Sequence, residues 1–314
     1  MLVFFCLVIY EFNDCSMPNA QSRREALKNI AAGAVTVGAF SSLSSFTSCE
    51  HKIPNTVLKN NINHSACHWC YGSIPLEQFA PAAKKIGLIG VDLVGPKGWD
   101  ILKQNGLIST MCNGAEINLV DGWNDKKFHA QLIRNYTDMI PQVAKYGWKN
   151  LICFSGNRRG IDDETGLKNC TEGLKQIMSI AEKNNVMIIM ELLNSKVDHK
   201  DYQCDKTAWG VELVKRVGSP NFKLLYDIYH MQIDEGDVIR TIRDNFQYIG
   251  HFHTGGVPGR REIDETQELY YPAIMKAIVD LGYKGYVAQE FIPSAKEHDK
   301  QLAALANAVK ICDV

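Results

Sequence analysis

VMIIMEL at 186–192, NFKLLYD at 221–227, YIGHFH at 248–253 and GYVAQE at 285–290 are four apolar runs, each closing on or beside a side chain that can ligate a metal. Runs of this length and β-branched content read as strands buried on both faces, which is the pattern of a parallel sheet. Their terminal residues are Glu191, Asp227, His253 and Glu290, spaced 36, 26 and 37 residues apart. Each interval is close to one βα unit of roughly 30 residues.

Working outward, strand and helix patterns alternate from residue 62 to the end. Expected strands are Ile62–Cys67, Ile89–Val94, Ile108–Cys112, Asn150–Phe154, Val186–Glu191, Lys223–Asp227, Ile249–His253 and Tyr286–Glu290. Helical periodicity falls between them, over Pro75–Ile86, Lys126–Tyr146, Thr165–Asn184, Thr207–Val217, Asp237–Asn245, Tyr271–Leu281 and Ala295–Ile311. Eight such alternations predict a single-domain (β/α)8 TIM barrel over residues 62–314, with its chemistry at the C-terminal strand ends. An open doubly wound sheet would gather its ligands at one switch point, and no GxGxxG or GxxxxGK[ST] motif is present.

The formal net charge is −1, which supplies no basic footprint for a nucleic-acid backbone. Residues 1–49 read as a leader. Ser22-Arg23-Arg24-Glu25-Ala26-Leu27-Lys28 resembles a twin-arginine export signal, and the apolar run 30–40 suits a signal core rather than a membrane span. A start at Met17 gives that signal a standard short n-region. Phe46-Thr47-Ser48-Cys49 has the form of a degenerate lipobox, which allows a lipid anchor at Cys49; an ordinary residue near a cleavage site is the alternative. Residues 50–61 read as a polar tether. The expected location is therefore the periplasm or cell envelope. Seven of the ten cysteines fall beyond the leader, an odd number that argues against a disulfide framework, and Cys67-x-x-Cys70 reads as structural.

Three carboxylates and one imidazole at neighbouring strand ends suit Mn²⁺, Mg²⁺ or Co²⁺ better than zinc, which more commonly recruits extra His or Cys. Such a cation acidifies the C–H of a chelated hydroxy-carbonyl compound, and Glu191 and Glu290 are the natural pair to take and return that proton. Taken singly, each residue has a plainer reading: a solvated strand-end Glu, a helix-capping Asp227, a packed His253. Four in register at one barrel face favour the metal centre.

Glu191-Leu192-Leu193-Asn194, Tyr226-Asp227-Ile228-Tyr229-His230-Met231-Gln232, Gly250-His251-Phe252-His253 and Gln289-Glu290 resemble the xylose-isomerase-like TIM barrels, in the branch of hydroxypyruvate isomerases and ketose 3-epimerases. The resemblance covers about residues 62–312. It implies a divalent metal on Glu191, Asp227, His253 and Glu290, with the two glutamates transferring protons. It also implies substrate contacts by His230, in a D-x-x-H position, and by Arg260 of Pro258-Gly259-Arg260; Asn194 is a further substrate-side candidate. His253-Thr254-Gly255 looks like the epimerases, whereas the loop 257–262 and the stretch 267–272 look closer to hydroxypyruvate isomerase. The implied activity is isomerisation through an enediolate, with hydroxypyruvate to tartronate semialdehyde first and ketose 3-epimerisation second. The implied partner is a small hydroxy-carbonyl or sugar molecule, and a homo-oligomer stays open. An endonuclease IV-like phosphodiesterase would need more His ligands and a basic face. A non-catalytic binding barrel would not need both glutamates. His64, His68, Trp69 and Trp123 sit near expected strand ends or loops, with packing as the plainer reading for most of them.

Overall fold

The structure, a computed structural model, describes residues 57–314. The arginine pair, the apolar run 30–40, Met17, Cys49 and the first part of the tether lie outside the described residues. Eight parallel strands run in the order β1-β8-β7-β6-β5-β4-β3-β2. They are β1 Asn63–Ala66, β2 Gly90–Val94, β3 Ile108–Cys112, β4 Asn150–Cys153, β5 Met187–Glu191, β6 Phe222–Asp227, β7 Ile249–Thr254 and β8 Tyr286–Gln289. A bridge between Cys67 and Asp92, with Ile89 N–H donating to the His64 carbonyl at 3.0 Å, brings β1 against β2 and closes the barrel. The TIM barrel expected from the sequence is the fold observed.

Around it lie α1 Leu76–Ile86, α2 Trp99–Gln104, α3 His129–Lys145, α4 Asp163–Asn184, α5 Thr207–Val217, α6 Ile228–Asp234, α7 Val238–Asn245, α8 Tyr271–Asp280 and α9 His298–Cys312. Local chemistry sets their ends. Asp162 caps α4 by accepting from Thr165 N–H at 2.9 Å, and α1 stops where Gly87 takes φ +104°. Helices α2 and α6, of six and seven residues, are too short to show a period and were not expected from the sequence. Between barrel and helices the core is continuous, with Phe79, Trp99, Ile140, Leu174, Ile188, Leu224 and Ile278 all buried.

All seven described cysteines are free and buried, in agreement with the structural reading. The C-terminal end of the expected tether is less detached than its polarity implies. Leu58 packs against the core, and Asn61 Nδ2 donates to the Val314 carbonyl at 2.8 Å. Among the described residues no helix is long and apolar enough to cross a membrane.

Candidate active site

Register brings the four strand-end residues together. Asp227 pairs directly with His253 across β6 and β7, Glu191 ends β5, and Glu290 follows β8 by one residue, its N–H donating to the Thr254 carbonyl at 2.9 Å. Ligand atoms of Glu191, Asp227, His253 and Glu290 all lie within 4.8 Å of one another, and all four residues are buried. His253 Nδ1 stands 2.7 Å from Glu290 Oε2 and 3.2 Å from Glu191 Oε1.

Burying three carboxylates so close together is costly unless positive charge compensates them. Burial and the charge of Glu290 push Glu191 up, and burial pushes Asp227 up to about 7. Burial works against Glu290 as well, but His253 and Arg260 outweigh it and hold that carboxyl well below the usual range. Arg260 Nη2 lies 3.1 Å from Asp227 Oδ2 and 3.3 Å from Glu290 Oε2. Its backbone takes φ +55°, so the loop after β7 accepts strain to aim this side chain inward.

Glu191 Oε1 is buried and, although 3.2 Å from His253 Nδ1, makes no hydrogen bond to it or to any other group among the described residues. An orphaned carboxylate oxygen beside two further carboxylates and an imidazole is what a divalent cation satisfies, so the donor set fits such an ion.

Asp227 does two jobs. Its Oδ1 accepts from His230 N–H at 3.0 Å, capping α6, while Oδ2 faces the cluster. The capping alternative and the site reading therefore hold together, and the D-x-x-H spacing is one turn of that cap. His230 is fully buried, and burial together with the charge of Arg260 holds it well below the ordinary imidazole range. Asn194 lies behind it. The Asn194 Oδ1 accepts from Val197 and Asp198 N–H, both at 3.0 Å, so its Nδ2 faces His230 Nδ1 at 2.6 Å. The other ring nitrogen, Nε2, lies 2.5 Å from Arg260 Nη2, which can only donate, so both nitrogens of His230 face donor groups. Asn194 is thus placed to orient His230.

Over the cluster opens a cavity of about 690 Å³, whose lining includes Glu191, Glu290, Arg260, Trp69 and His199. Trp69 Nε1 donates to Glu290 Oε1 at 2.7 Å. Its indole also stacks near Arg260, 5.4 Å from guanidinium carbon to ring centroid. The other three residues considered beside Trp69 lie elsewhere. His64 pairs with Asp313, His68 contacts the Ile74 carbonyl, and Trp123 packs on Tyr136.

Asp92 was not anticipated. It is fully buried inside the barrel, accepts from Ser65 Oγ at 2.6 Å, and has Oδ2 at 2.5 Å from His251 Nε2 and 3.1 Å from His253 Nε2. The register shifts on both sides of Asp92, and Leu93 takes φ +58°. This bulge turns Asp92 into the barrel. Cys67 Sγ approaches the same ring nitrogen at 3.7 Å, with its thiol pushed up by burial.

A family model described as xylose isomerase-like TIM barrel matches residues 72–308. A putative hydroxypyruvate isomerase of Homo sapiens is 30% identical over 122 residues, 39% of this chain and 44% of that protein. The chain thus spans under half the length of that relative. The hydroxypyruvate isomerase of Escherichia coli is 27% identical over 229 residues, 69% of this chain and 88% of that one. A crystal structure titled AP endonuclease, family 2, from Brucella melitensis superposes with a TM-score of 0.69 at 25% identity, covering 78% of this chain and 99% of that one.

Proposed function

The chain belongs to the xylose isomerase-like TIM barrel family, and we propose that it is a metal-dependent isomerase that moves a proton between adjacent carbons of an α-hydroxy carbonyl compound. Hydroxypyruvate to tartronate semialdehyde is the conversion that the names of its relatives favour. The observation that carries the reading is the arrangement of Glu191 and Glu290, two buried carboxylates that both lie near His253 Nδ1 and line the same cavity floor. Simple binding does not need that pair.

In this reading Glu191, Asp227, His253 and Glu290 hold a divalent cation, Mn²⁺, Mg²⁺ or Co²⁺, which when bound supplies positive charge opposite the oxygens of the developing enediolate. One glutamate takes the C–H proton of the hydroxymethyl carbon, the other returns a proton to the former carbonyl carbon, and the hydroxyl proton passes from the hydroxymethyl oxygen to the former carbonyl oxygen. His230, held in place by Asn194 and Arg260, contacts a substrate oxygen. Arg260 forms bidentate hydrogen bonds to the carboxylate of hydroxypyruvate. Burial of the whole floor excludes water that would otherwise compete for these donors.

Ketose 3-epimerisation, the same proton chemistry at a sugar carbon, is the second reading. The cavity of about 690 Å³ favours it, being far larger than a three-carbon acid. Export and a lipid anchor at Cys49 remain part of the proposal and would place either reaction in the cell envelope.

The test is solvent exchange. The full chain loaded with Mn²⁺ is incubated in D₂O with hydroxypyruvate and with a panel of ketoses, beside Glu191→Gln. Metal-dependent deuterium incorporation at the carbon next to the carbonyl, lost in the variant, is expected. Absence of exchange on every substrate with metal bound would overturn the isomerase reading.

A further inference from the structure

One side of the cavity is built from apolar groups that the proton chemistry does not use. Leu93, Ile117, Leu119, Val120, Phe154 and Leu193 line it, drawn from β2, the loop 113–125 and the ends of β4 and β5. Leu119 and Val120 are 36% and 41% exposed, although each could have turned inward on a pliable loop.

This loop is not pliable. Asn118 Oδ1 accepts from Val120 and Asp121 N–H at 2.8 Å each, and Arg159 pairs with Asp121 at 2.5 Å. Asn157 N–H donates to the Val120 carbonyl at 3.0 Å, and Asn124 N–H to the Ser155 carbonyl at 2.8 Å. Gly122 packs so closely on Gly156 that a Cβ would stand 2.4 Å from its nitrogen. The apolar rim is thus strapped to the end of β4 and held open to the cavity. Leu93 reaches the same wall from a left-handed backbone, a conformation that costs a leucine energy and persists only where its surroundings enforce it.

Charge on this side is sparse. Its remaining polar lining is Asn113, Glu116 and Asn118, with no cation; Arg260 belongs to the floor. A distal phosphate or carboxylate would find no cationic partner there, whereas a neutral group needs none.

We infer that the substrate is a hydroxy-carbonyl sugar joined to a neutral, apolar, ring-sized group, which lies against Leu93, Ile117, Leu119, Val120, Phe154 and Leu193 while the reacting carbons sit over Glu191 and Glu290. The inference rests on the isomerase reading of the floor. It explains why the cavity is of the size that takes drug-sized ligands rather than a three-carbon acid. Neither joined half is altered by binding, since the chemistry remains a proton transfer within the sugar.

Two glycosides without a free carbonyl test this apart from turnover. Titration of the full chain with phenyl β-D-glucopyranoside and with methyl β-D-glucopyranoside is expected to show the phenyl compound binding at least about ten-fold tighter. In the double variant Leu119→Ser, Val120→Ser, both at exposed positions that leave the core intact, that advantage should fall below about three-fold. Equal affinity of the two glycosides, no binding of either at millimolar concentration, or an advantage unmoved in the variant would overturn the inference. A phenyl advantage without deuterium exchange would sink only the isomerase reading. Exchange on hydroxypyruvate without a phenyl advantage would sink only this one.

Discussion

Asp92 Oδ2 lies 3.1 Å from His253 Nε2, while the other nitrogen of the same ring, Nδ1, faces Glu290 Oε2 at 2.7 Å. A buried carboxylate on one side of an imidazole fixes the proton there and leaves the lone pair on the other side for a cation. Asp92→Asn should therefore weaken Mn²⁺ binding by about 10- to 100-fold, read by calorimetric titration. A ¹⁵N spectrum of the Mg²⁺-loaded protein should show His253 protonated at Nε2 alone. The Nδ1–H tautomer would rule out this role for Asp92, whatever the variant does.

Trp69 Nε1 donates to Glu290 Oε1 at 2.7 Å from a residue 221 positions away. A hydrogen bond to an ionised group is worth about 1.5–3 kcal/mol, and losing it releases one of Glu290's two oxygens. Trp69→Phe keeps the apolar ring and removes the donor. Its exchange rate should fall about ten-fold or more, with metal affinity changed less. An unchanged rate would show that His253 and Arg260 alone hold Glu290 in place.

Arg260 and a divalent cation claim the same oxygens, since Nη2 lies 3.1 Å from Asp227 Oδ2 and 3.3 Å from Glu290 Oε2. Removing the guanidinium should act with opposite signs on two measurements. Arg260→Gln is expected to bind Mn²⁺ a few-fold tighter, while KM for hydroxypyruvate rises about ten-fold or more through loss of the carboxylate partner. Weaker metal binding in the variant would mean that Arg260 helps to organise the carboxylates instead of competing for them.

The parts of the molecule that were legible in the sequence are those whose signal is local. Parallel strands buried on both faces write their own apolar runs, so all eight were located to within a residue or so, and Glu191, Asp227, His253 and Glu290 could be read off their ends. Asp92 could not be found this way. It sits within the run GVDLV, where alternation is broken by a bulge, and nothing in that run announces φ +58° at Leu93. Trp69 and Asp92 reach the site across the barrel, from partners 221 and 161 residues away. Contacts of that range are a product of closure and leave no periodic trace. Asn194 was legible as part of the site, but whether it faces substrate or His230 depends on the turn at 194–198, which only the structure shows.

Outside the ligand cluster, His64 offers a test of the barrel itself. It is buried on β1 with Nε2 3.5 Å from Asp313 Oδ1, and burial lowers its pKa, the charge of Asp313 offsetting this only in part. A depressed imidazole pKa means that the unfolded chain takes up a proton first. His64 therefore contributes its stability above the unfolded value of about 6.5, and that contribution is lost as pH falls from there through the folded value. His64→Gln fills similar space and does not titrate. Between about pH 7 and about pH 5 its melting temperature should fall less steeply than that of the unsubstituted chain, as followed by calorimetry at each pH. Parallel curves would show that Asp313 fully compensates the charged ring, and a steeper fall in the variant would reverse the sign of the argument.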